Sequence, residues 1–228
     1  MRQIVLDTET TGLDPKQGHK IIEIGCVEMI NRRLTGNNYH QYIQPDRHID
    51  EGAQAVHGIS NESLADKPRF LDIVKDFIEY IDGAELIIHN APFDVGFLDK
   101  EFKDAGAEFG KVSTYCSVID TLVMARKMRP GKKNNLDILC KTYEVNNAHR
   151  ELHGALLDSE LLAEVYLHMT GGQSNLSLDS EESARNVAGD VAVKKIATDR
   201  KPIKIISASD EELLAHQAII EKMGADSW

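Results

Sequence analysis

Short apolar runs separated by polar turns predict a series of strands in the first part of the chain. Ile4, Val5 and Leu6 form an uninterrupted run of β-favouring side chains, which is typical of a strand buried on both faces. Further strands are predicted over residues 20–30, 39–43 and 85–89. The second and third of the four are joined by a polar turn, so we expect them to form an antiparallel hairpin.

Apolar residues at helical spacing alternate with these strands. The clearest case is the set Phe70, Ile73, Val74, Phe77, Ile78 and Ile81, which predicts a helix over 70–81. Other helices are predicted over 118–128, 136–143 and 152–167, and Gly171-Gly172 ends the last of them. Strands that alternate with helices predict an α/β fold.

The end of the chain differs in character. Residues 173–200 are polar and lack a sustained period, which predicts a flexible linker. A strand-like run at 203–206 follows. Next comes a helix that Ser209-Asp-Glu-Glu212 would cap and Gly224 would end. Because this segment is too small to bury a core, we expect it to dock on a partner. The predicted division is 1–172, 173–200 and 201–228.

Composition indicates a soluble globular protein, with 42% hydrophobic and 28% charged residues. A net charge of −11 argues against binding through a broad basic surface, but not against a nuclease that contacts phosphate through divalent cations. Cys26, Cys116 and Cys140 lack the spacing of a disulfide framework or zinc site, so a reducing cytoplasm is expected. Neither a signal peptide nor a membrane span is predicted.

One basic cluster stands out in this acidic chain, at residues 126–133. Its cations could be a solvated helix end that interacts favourably with the helix dipole, or they could contact phosphate. The sequence leaves both interpretations open.

Paired carboxylates follow the first predicted strand. Alternation along a strand directs Asp7 and Glu9 to the same face, where like charges are costly unless a cation or a shared proton neutralises them. Carboxylate oxygens suit Mg²⁺ or Mn²⁺. Asp94 lies at a later strand-to-helix junction, the kind of position where α/β sheets build sites, and Asn90 is expected to cap that helix.

A histidine and a fourth carboxylate open the last helix of this region. His153 and Asp158 are five residues apart, about 140° around an ideal helix, so they cannot share one helix face. They can meet only if His153 lies in the turn before the helix. Four carboxylates balance two divalent cations, as in two-metal phosphoryl transfer, and a neutral histidine could accept a proton from water.

These residues also carry a family resemblance. Asp7-Thr-Glu9, Asn90-Ala-Pro-Phe-Asp94 and His153-x4-Asp158 resemble, in order, the three motifs of the DEDD exonuclease superfamily in its histidine-bearing branch. The tyrosine-bearing branch would have tyrosine where this chain has Gly154. The similarity is greatest to the proofreading subunits of bacterial DNA polymerase III, strongly over residues 1–170 and more weakly in the tail.

The resemblance implies a ribonuclease H-like fold, with a central mixed five-stranded sheet flanked by helices. The implied activity is removal of nucleotides from a DNA 3′ end as 5′-monophosphates, with a preference for frayed, single-stranded ends. Two Mg²⁺ or Mn²⁺ ions would be held by Asp7, Glu9, Asp94 and Asp158, with His153 as general base. The resemblance further implies a terminal-nucleotide pocket lined by Thr10, Gly12, Leu13, His57, Asn90 and Phe93. A purely structural role for His57 stays open.

The resemblance also implies two protein partners. Gln173, Leu176 and Leu178 are similar to a short motif that contacts the sliding clamp, although ordinary linker sequence is the alternative. Residues 203–228 resemble the tail that docks on the catalytic subunit of DNA polymerase III. Tethering beside a polymerase supplies effective concentrations up to about millimolar, which would explain how an acidic nuclease works with little affinity of its own.

Two other functions remain open on the sequence. A stand-alone exoribonuclease of the same branch would use the same catalytic groups, because the cations act on the phosphodiester and not on the sugar. A mainly structural polymerase subunit is the second. The linker and helical tail favour the proofreading interpretation over the first alternative, and the intact catalytic positions favour it over the second.

Overall fold

A computed structural model describes residues 1–148, 150, 152–171 and 209–223 of the chain. Two compact units are distinguished, Met1–Leu176 and Ser177–Trp228. Each is described by itself below.

The first unit is built on a mixed sheet of six strands in the order β3-β2-β1-β5-β6, with β4 also paired to β2. The strands are β1 (Arg2–Thr10), β2 (Ile21–Ile30), β3 (Arg33–Leu34), β4 (Tyr39–Tyr42), β5 (Glu85–Ile88) and β6 (Ser117–Asp120). Central β1 runs antiparallel to β2 and parallel to β5. The predicted α/β architecture is confirmed, with one strand more than expected because the two-residue β3 also pairs with β2.

Helices cover both faces of this sheet. They are α1 (Glu51–His57), α2 (Phe70–Ile81), α3 (Ala91–Ala105), α4 (Val112–Tyr115), α5 (Thr121–Met128), α6 (Leu136–Tyr143) and α7 (Ala155–Gly171). Ile4 and Leu6 of β1 pack into one apolar cluster that includes Phe77 of α2 and Phe97 of α3. Val5 faces the opposite way, into a second cluster with Leu162 of α7. Period-two alternation therefore buries β1 on both sides, as its uninterrupted apolar run predicts.

The prediction of a single helix over 118–128 is wrong at its start. Residues Ser117–Asp120 form β6, parallel to β5, and α5 begins only at Thr121. The side chain of Asp120 accepts hydrogen bonds from the main-chain N–H groups of Leu122 and Val123, which fixes the beginning of the helix. A short run rich in β-branched residues fits a strand or a helix equally, so periodicity alone does not separate the two.

The first unit departs from the sequence predictions at three further places. Helices α1 and α4 have no counterpart among the predicted helices. Asn90 has left-handed backbone angles (φ 70°, ψ 51°), and its side chain makes no capping hydrogen bond to α3. Its contribution is the turn between β5 and α3, since asparagine adopts this conformation more readily than most residues.

The described part of the second unit is helix α8 (Asp210–Met223) with the residue before it. Its predicted capping box is present, because Glu212 accepts from the Ser209 main-chain N–H and Ser209 Oγ accepts from the Glu212 N–H. The predicted linker, the strand-like run at 203–206 and the Gln173–Leu178 motif lie outside the described residues. Within the described residues, no helix combines the length and apolar character that crossing a membrane requires.

Candidate active site

The five side chains predicted to bind cations or transfer a proton line one cavity of about 420 Å³ at the end of β1. They are Asp7, Glu9, Asp94, His153 and Asp158. Asp7 and Glu9 are two positions apart on the same strand, so the pleat directs both side chains to this end of the sheet. The other three groups come from distant parts of the chain.

Asp94 is positioned by the turn that joins β5 to α3. It lies in the first turn of α3 and is 3% exposed. The hydroxyl of Thr8 donates a 2.7 Å hydrogen bond to Asp94 Oδ1, which fixes the carboxylate against β1. Thr8 has no counterpart among the residues that the sequence predicted.

Asp158 is positioned by an unusually close approach of α7 to β2. A Cβ atom at Gly25 would lie 2.2 Å from the carbonyl carbon of Ala155, so only glycine allows this approach. The Glu23 carboxylate accepts from the Ala155 main-chain N–H at 3.2 Å, and Ser159 Oγ donates to the Gly25 carbonyl at 2.9 Å. These contacts hold the first turns of α7, and with them Asp158, at the cavity.

His153 lies in the turn before α7, where the angular argument requires it. Its main-chain N–H donates to the carbonyl of Val56, while its side chain is 44% exposed. His153 Nδ1 is 3.4 Å from Asp158 Oδ2. Among the described residues, Glu9, His153 and Asp158 each offer a ligand atom within 4.8 Å of the others.

The acids at the end of β1 and at α3 are buried among one another, and the charge of Arg150 offsets this only in part. Burial raises the pKa of Asp7 well above its ordinary value, and the charges of Asp94, Glu9 and Asp158 raise it further. Burial, with Asp158 and Glu23 next, raises the pKa of Glu9 to about 8. Burial also raises the pKa of Asp94 to about 7, against the opposing hydrogen bond from Thr8. Such a cluster needs protons or cations to be neutralised.

Arg150 is a member of the site that sequence reasoning missed. It is 7% exposed and donates to both oxygens of Asp158, from Nε at 2.5 Å and from Nη2 at 2.6 Å. It also donates to Asp137 Oδ1 at 2.6 Å and contacts His153 Nδ1 at 3.0 Å. Although burial acts to raise the pKa of Asp158, the hydrogen bonds and the positive charge of Arg150 hold it below its ordinary value.

A second cavity, of about 640 Å³, adjoins the first and shares Thr8, Glu9 and Phe93 with it. Five of the six residues predicted to line a terminal-nucleotide pocket line this cavity: Thr10, Gly12, Leu13, His57 and Phe93. The sixth, Asn90, lines the carboxylate cavity instead. A Cβ at Gly12 would meet the ring of His19 at 2.2 Å, so the wall is closely packed there.

The two ring nitrogens of His57 differ in their hydrogen bonding. Its Nδ1 accepts from the Ile59 main-chain N–H at 3.0 Å, which leaves the proton of the neutral ring on Nε2. That buried Nε2 has no hydrogen-bond partner among the described residues. Burial lowers the pKa of His57, which favours the neutral form. Both interpretations of this histidine are compatible with its surroundings.

Comparison with known proteins gives closely similar relatives. The family model RNase_T, described as exonuclease, matches residues 4–166. The chain is 50% identical to DNA polymerase III subunit epsilon of Escherichia coli over 230 residues, covering 98% of this chain and 95% of the relative. Identity to the subunit of the same name in Haemophilus influenzae is 52% over 237 residues, covering 99% and 92%.

Solved structures share the fold. Exonuclease X in complex with 5′ overhanging duplex DNA is 28% identical, with a TM-score of 0.59, and the match covers 74% of this chain and 91% of that one. Exonuclease I is 17% identical, with a TM-score of 0.61, and the match covers 73% of this chain and 40% of that one. The second similarity is one of fold alone.

Proposed function

The chain belongs to the exonuclease family and, within it, to the epsilon subunits of DNA polymerase III, and we propose that it removes mispaired nucleotides from DNA 3′ ends as 5′-monophosphates. The observation that supports this reaction most directly is the convergence of four carboxylates and a histidine on one cavity. An apolar-walled second cavity adjoins it, of a size and lining suited to a nucleoside.

The donor set suits divalent cations. Its oxygens are hard ligands, and burial, together with neighbouring acids, raises the pKa values of Asp7, Glu9 and Asp94, so a bound cation would stabilise their charged forms. A guanidinium group already neutralises Asp158. We propose that Asp7, Glu9, Asp94 and Asp158 hold two Mg²⁺ or Mn²⁺ ions. When bound, these ions would stabilise the charge that develops on the phosphate during in-line displacement.

The protein's own residues would position the other groups. The second cavity would hold the terminal nucleoside, with Leu13 and Phe93 as apolar surfaces and His57 Nε2–H as a donor. His153 would take the proton of the attacking water at Nδ1, the nitrogen that faces Asp158. The new bond joins water oxygen to phosphorus. The bond from phosphorus to the 3′ oxygen of the retained strand breaks, and that oxygen acquires a proton from solvent.

Digestion of matched single-stranded DNA and RNA oligomers, 5′-labelled and tested with Mg²⁺, with Mn²⁺ and with EDTA, examines this function. We expect a ladder of shortened DNA and released 5′-monophosphates only with a cation. On primer–template duplexes tested in the same way, a mispaired 3′ end should be lost faster than a paired one. Preference for RNA would favour a stand-alone exoribonuclease instead. Absence of cleavage by folded, cation-loaded protein would favour a mainly structural polymerase subunit.

Association with the polymerase is proposed to run through residues 201–228. In support, Leu213 and Leu214 of α8 are 55% and 72% exposed, which leaves apolar surface for a partner. Removing all residues after Gly172 should leave nuclease activity intact and abolish capture of the polymerase catalytic subunit. A Leu213→Glu, Leu214→Glu variant should act in the same way, whereas His216→Glu, Gln217→Glu serves as control. Unchanged capture by the leucine variant would refute α8 as the contact.

Contact with the sliding clamp is proposed for Gln173, Leu176 and Leu178. The support is the sequence motif alone. Changing Gln173 and Leu176 to alanine should weaken clamp binding in a pull-down without affecting polymerase binding. Equal clamp binding by both forms would identify the segment as ordinary linker.

A further inference from the structure

The segment Arg126–Lys133, which we name the basic segment, carries five cations in eight residues: Arg126, Lys127, Arg129, Lys132 and Lys133. None of these five takes part in an ion pair with any residue that the structure describes. A concentration of unneutralised positive charge is unexpected in a chain of net charge −11. It therefore calls for an anionic partner.

The helix dipole accounts for only part of the segment. Arg126 and Lys127 lie in the last turn of α5, where cations interact favourably with the helix end. Lys132 and Lys133 lie beyond the helix, so the dipole does not explain them. Lys132 and Lys133 therefore favour a binding surface over a solvated helix end.

The basic segment is attached firmly to the rim of the carboxylate cavity. Asn134, which follows it, is 6% exposed, and its side chain donates to the Lys132 carbonyl at 2.9 Å. Arg129 donates to Asn134 Oδ1 at 3.3 Å. The next residue, Asn135, lines the carboxylate cavity itself. Lys132 and Lys133 thus lie in a loop that leads directly to a residue lining the carboxylate cavity.

The two cavities define the direction of a bound strand. If the terminal nucleoside occupies the second cavity, the phosphate that is cleaved lies at the carboxylates. The rest of the strand must then leave the carboxylate cavity past residues that it does not share with the second cavity, among them Asn90 and Asn135. We propose that the basic segment binds the sugar–phosphate backbone of the retained single strand. This inference rests on the proposed function and adds the surface that holds the substrate outside the chemical site.

A test compares two substrates in the full-length protein. One is a 5′-labelled single-stranded DNA oligomer. The other is thymidine 5′-p-nitrophenyl phosphate, which has one nucleoside and no retained strand. For the variant Lys132→Glu, Lys133→Glu we expect a KM for the oligomer raised about tenfold or more at low salt, and a log KM against log salt slope shallower by about 1–2. Hydrolysis of the small ester should be unchanged.

The matched control is Lys75→Glu, Lys103→Glu, which makes the same charge change at exposed positions of α2 and α3. Equal losses on both substrates, an unchanged salt slope, or an equal effect of the control would each overturn the role of the basic segment and leave the nuclease function standing. Hydrolysis of neither substrate by the unaltered protein with Mn²⁺ would overturn the proposed function itself, and this inference with it.

A different observation concerns Arg150. Its guanidinium group contacts both oxygens of Asp158 and the Nδ1 atom of His153 at once. An arginine N–H can only donate, so the lone pair of His153 Nδ1 is engaged by this contact. The same group therefore covers a proposed cation ligand and the nitrogen proposed to accept the proton.

We infer that Arg150 is an internal competitor of the cations, which neutralises Asp158 in their absence and moves off it when they bind. Asp137 offers a second carboxylate to which Arg150 can move, because Asp137 Oδ1 accepts from Arg150 Nη1 at 2.6 Å. The side chain of Asp137 is 47% exposed, against 4% for Asp158. The alternative is that Arg150 is a positioning residue that prepares Asp158 and His153 for the cations. The two roles predict opposite effects on cation binding.

Calorimetric titration with Mn²⁺ and thermal unfolding with and without Mn²⁺ separate these roles without an activity assay. For Arg150→Gln we expect Mn²⁺ affinity about three- to tenfold higher, and a larger rise in Tm on adding Mn²⁺. Arg150→Lys, which keeps the charge but not the two-pronged contact, should shift both in the same direction by less. Arg32→Gln, which removes an arginine bonded to Thr170 and the Leu167 carbonyl, is the control. Weaker Mn²⁺ binding by the Arg150 variants would overturn the competitor role.

Discussion

The two halves of the carboxylate cavity are built differently. Asp7 and Glu9 belong to the central strand β1 and Asp94 to the first turn of α3, and all three have raised pKa values because they are buried among other acids. Asp158 and His153 belong to α7 and to the turn before it, where Arg150 supplies positive charge. We call these the inner and the outer half.

The two halves differ in how much positive charge each must gain from bound protons or cations. The inner half is buried among its own like charges, so in the absence of cations it must take up protons. The outer half is already neutralised by an arginine, and its histidine is partly exposed. Cation binding should therefore neutralise the buried carboxylates of the inner half. In the outer half it should displace the contact between Arg150 and Asp158.

The largest effect is expected from Asp7→Asn in the inner half. Losing a charged ligand should reduce turnover on the order of 10³-fold or more. The metal-free protein at pH 8 should nevertheless become more stable, because the folded state no longer has to protonate or bury a carboxylate that is ionised when the chain is unfolded. Turnover and Tm measured in EDTA check the two parts of this expectation.

Asp76→Asn, an exposed acid on α2, is the control for that variant. It should change neither quantity. Substantial activity in purified Asp7→Asn protein would remove Asp7 from the proposed ligand set.

In the outer half, His153→Ala should lower turnover by roughly 10²–10³-fold, the usual range for a general base. Cation binding should survive, since the four carboxylates remain. Turnover assays combined with Mn²⁺ calorimetry make the measurement, with His168→Ala on α7 as the control. Loss of Mn²⁺ binding in the His153 variant would make the histidine a ligand and reject the base role.

A smaller effect on activity is expected from Gly25→Ala. The added methyl group would collide with the backbone of Ala155, so α7 must shift and carry Asp158 with it. We expect activity to fall about ten- to a hundredfold and stability to fall by roughly 1–3 kcal/mol. Gly96→Ala on α3, where a Cβ meets nothing within 4 Å, should be neutral or slightly stabilising. Equal behaviour of the two variants in activity and urea unfolding would contradict the close approach.

The smallest expected effect is on the pH dependence of metal-free stability. The folded pKa values of Glu9 and Asp94, about 8 and about 7, exceed the ordinary values of 4.5 and 3.8. The folded state therefore binds more protons than the unfolded state, and stability should fall as pH rises from about 4 to about 8. Tm in EDTA measured across this window should fall less for Glu9→Gln. Identical slopes would show that Glu9 ionises normally.

Local sequence patterns predicted the inner half well. Asp7 and Glu9 follow a run of β-forming residues, and alternation along the strand sets the face to which they point. Asp94 follows a strand and lies at the beginning of a helix, and both elements are predicted from apolar spacing. His153 was assigned to the turn before α7 by the angular argument alone. These features depend on neighbours within a few residues, which is the range over which sequence patterns carry information.

The remaining parts depend on contacts between distant segments. The Glu23 carboxylate holds the first turn of α7 across 132 positions of sequence, and Arg150 approaches Asp137 from a separate loop. Nothing in the residues around Arg150 indicates which carboxylate it will contact. The strand β6 was missed for a related reason, since its partner β5 decides between strand and helix in a four-residue run.

The carboxylate cavity is divided between β1 and α7, the first strand and the last described helix of the Met1–Leu176 unit, which carry Asp7 and Asp158 respectively. During translation, β1 leaves the ribosome long before α7 is made, and its parallel partner β5 also comes much later in the sequence. The proposed catalytic residues can therefore come together only when nearly the whole unit has emerged and folded. A nascent chain that ends before α7 would lack Asp158, so we expect activity to begin only once α7 has been made and has folded.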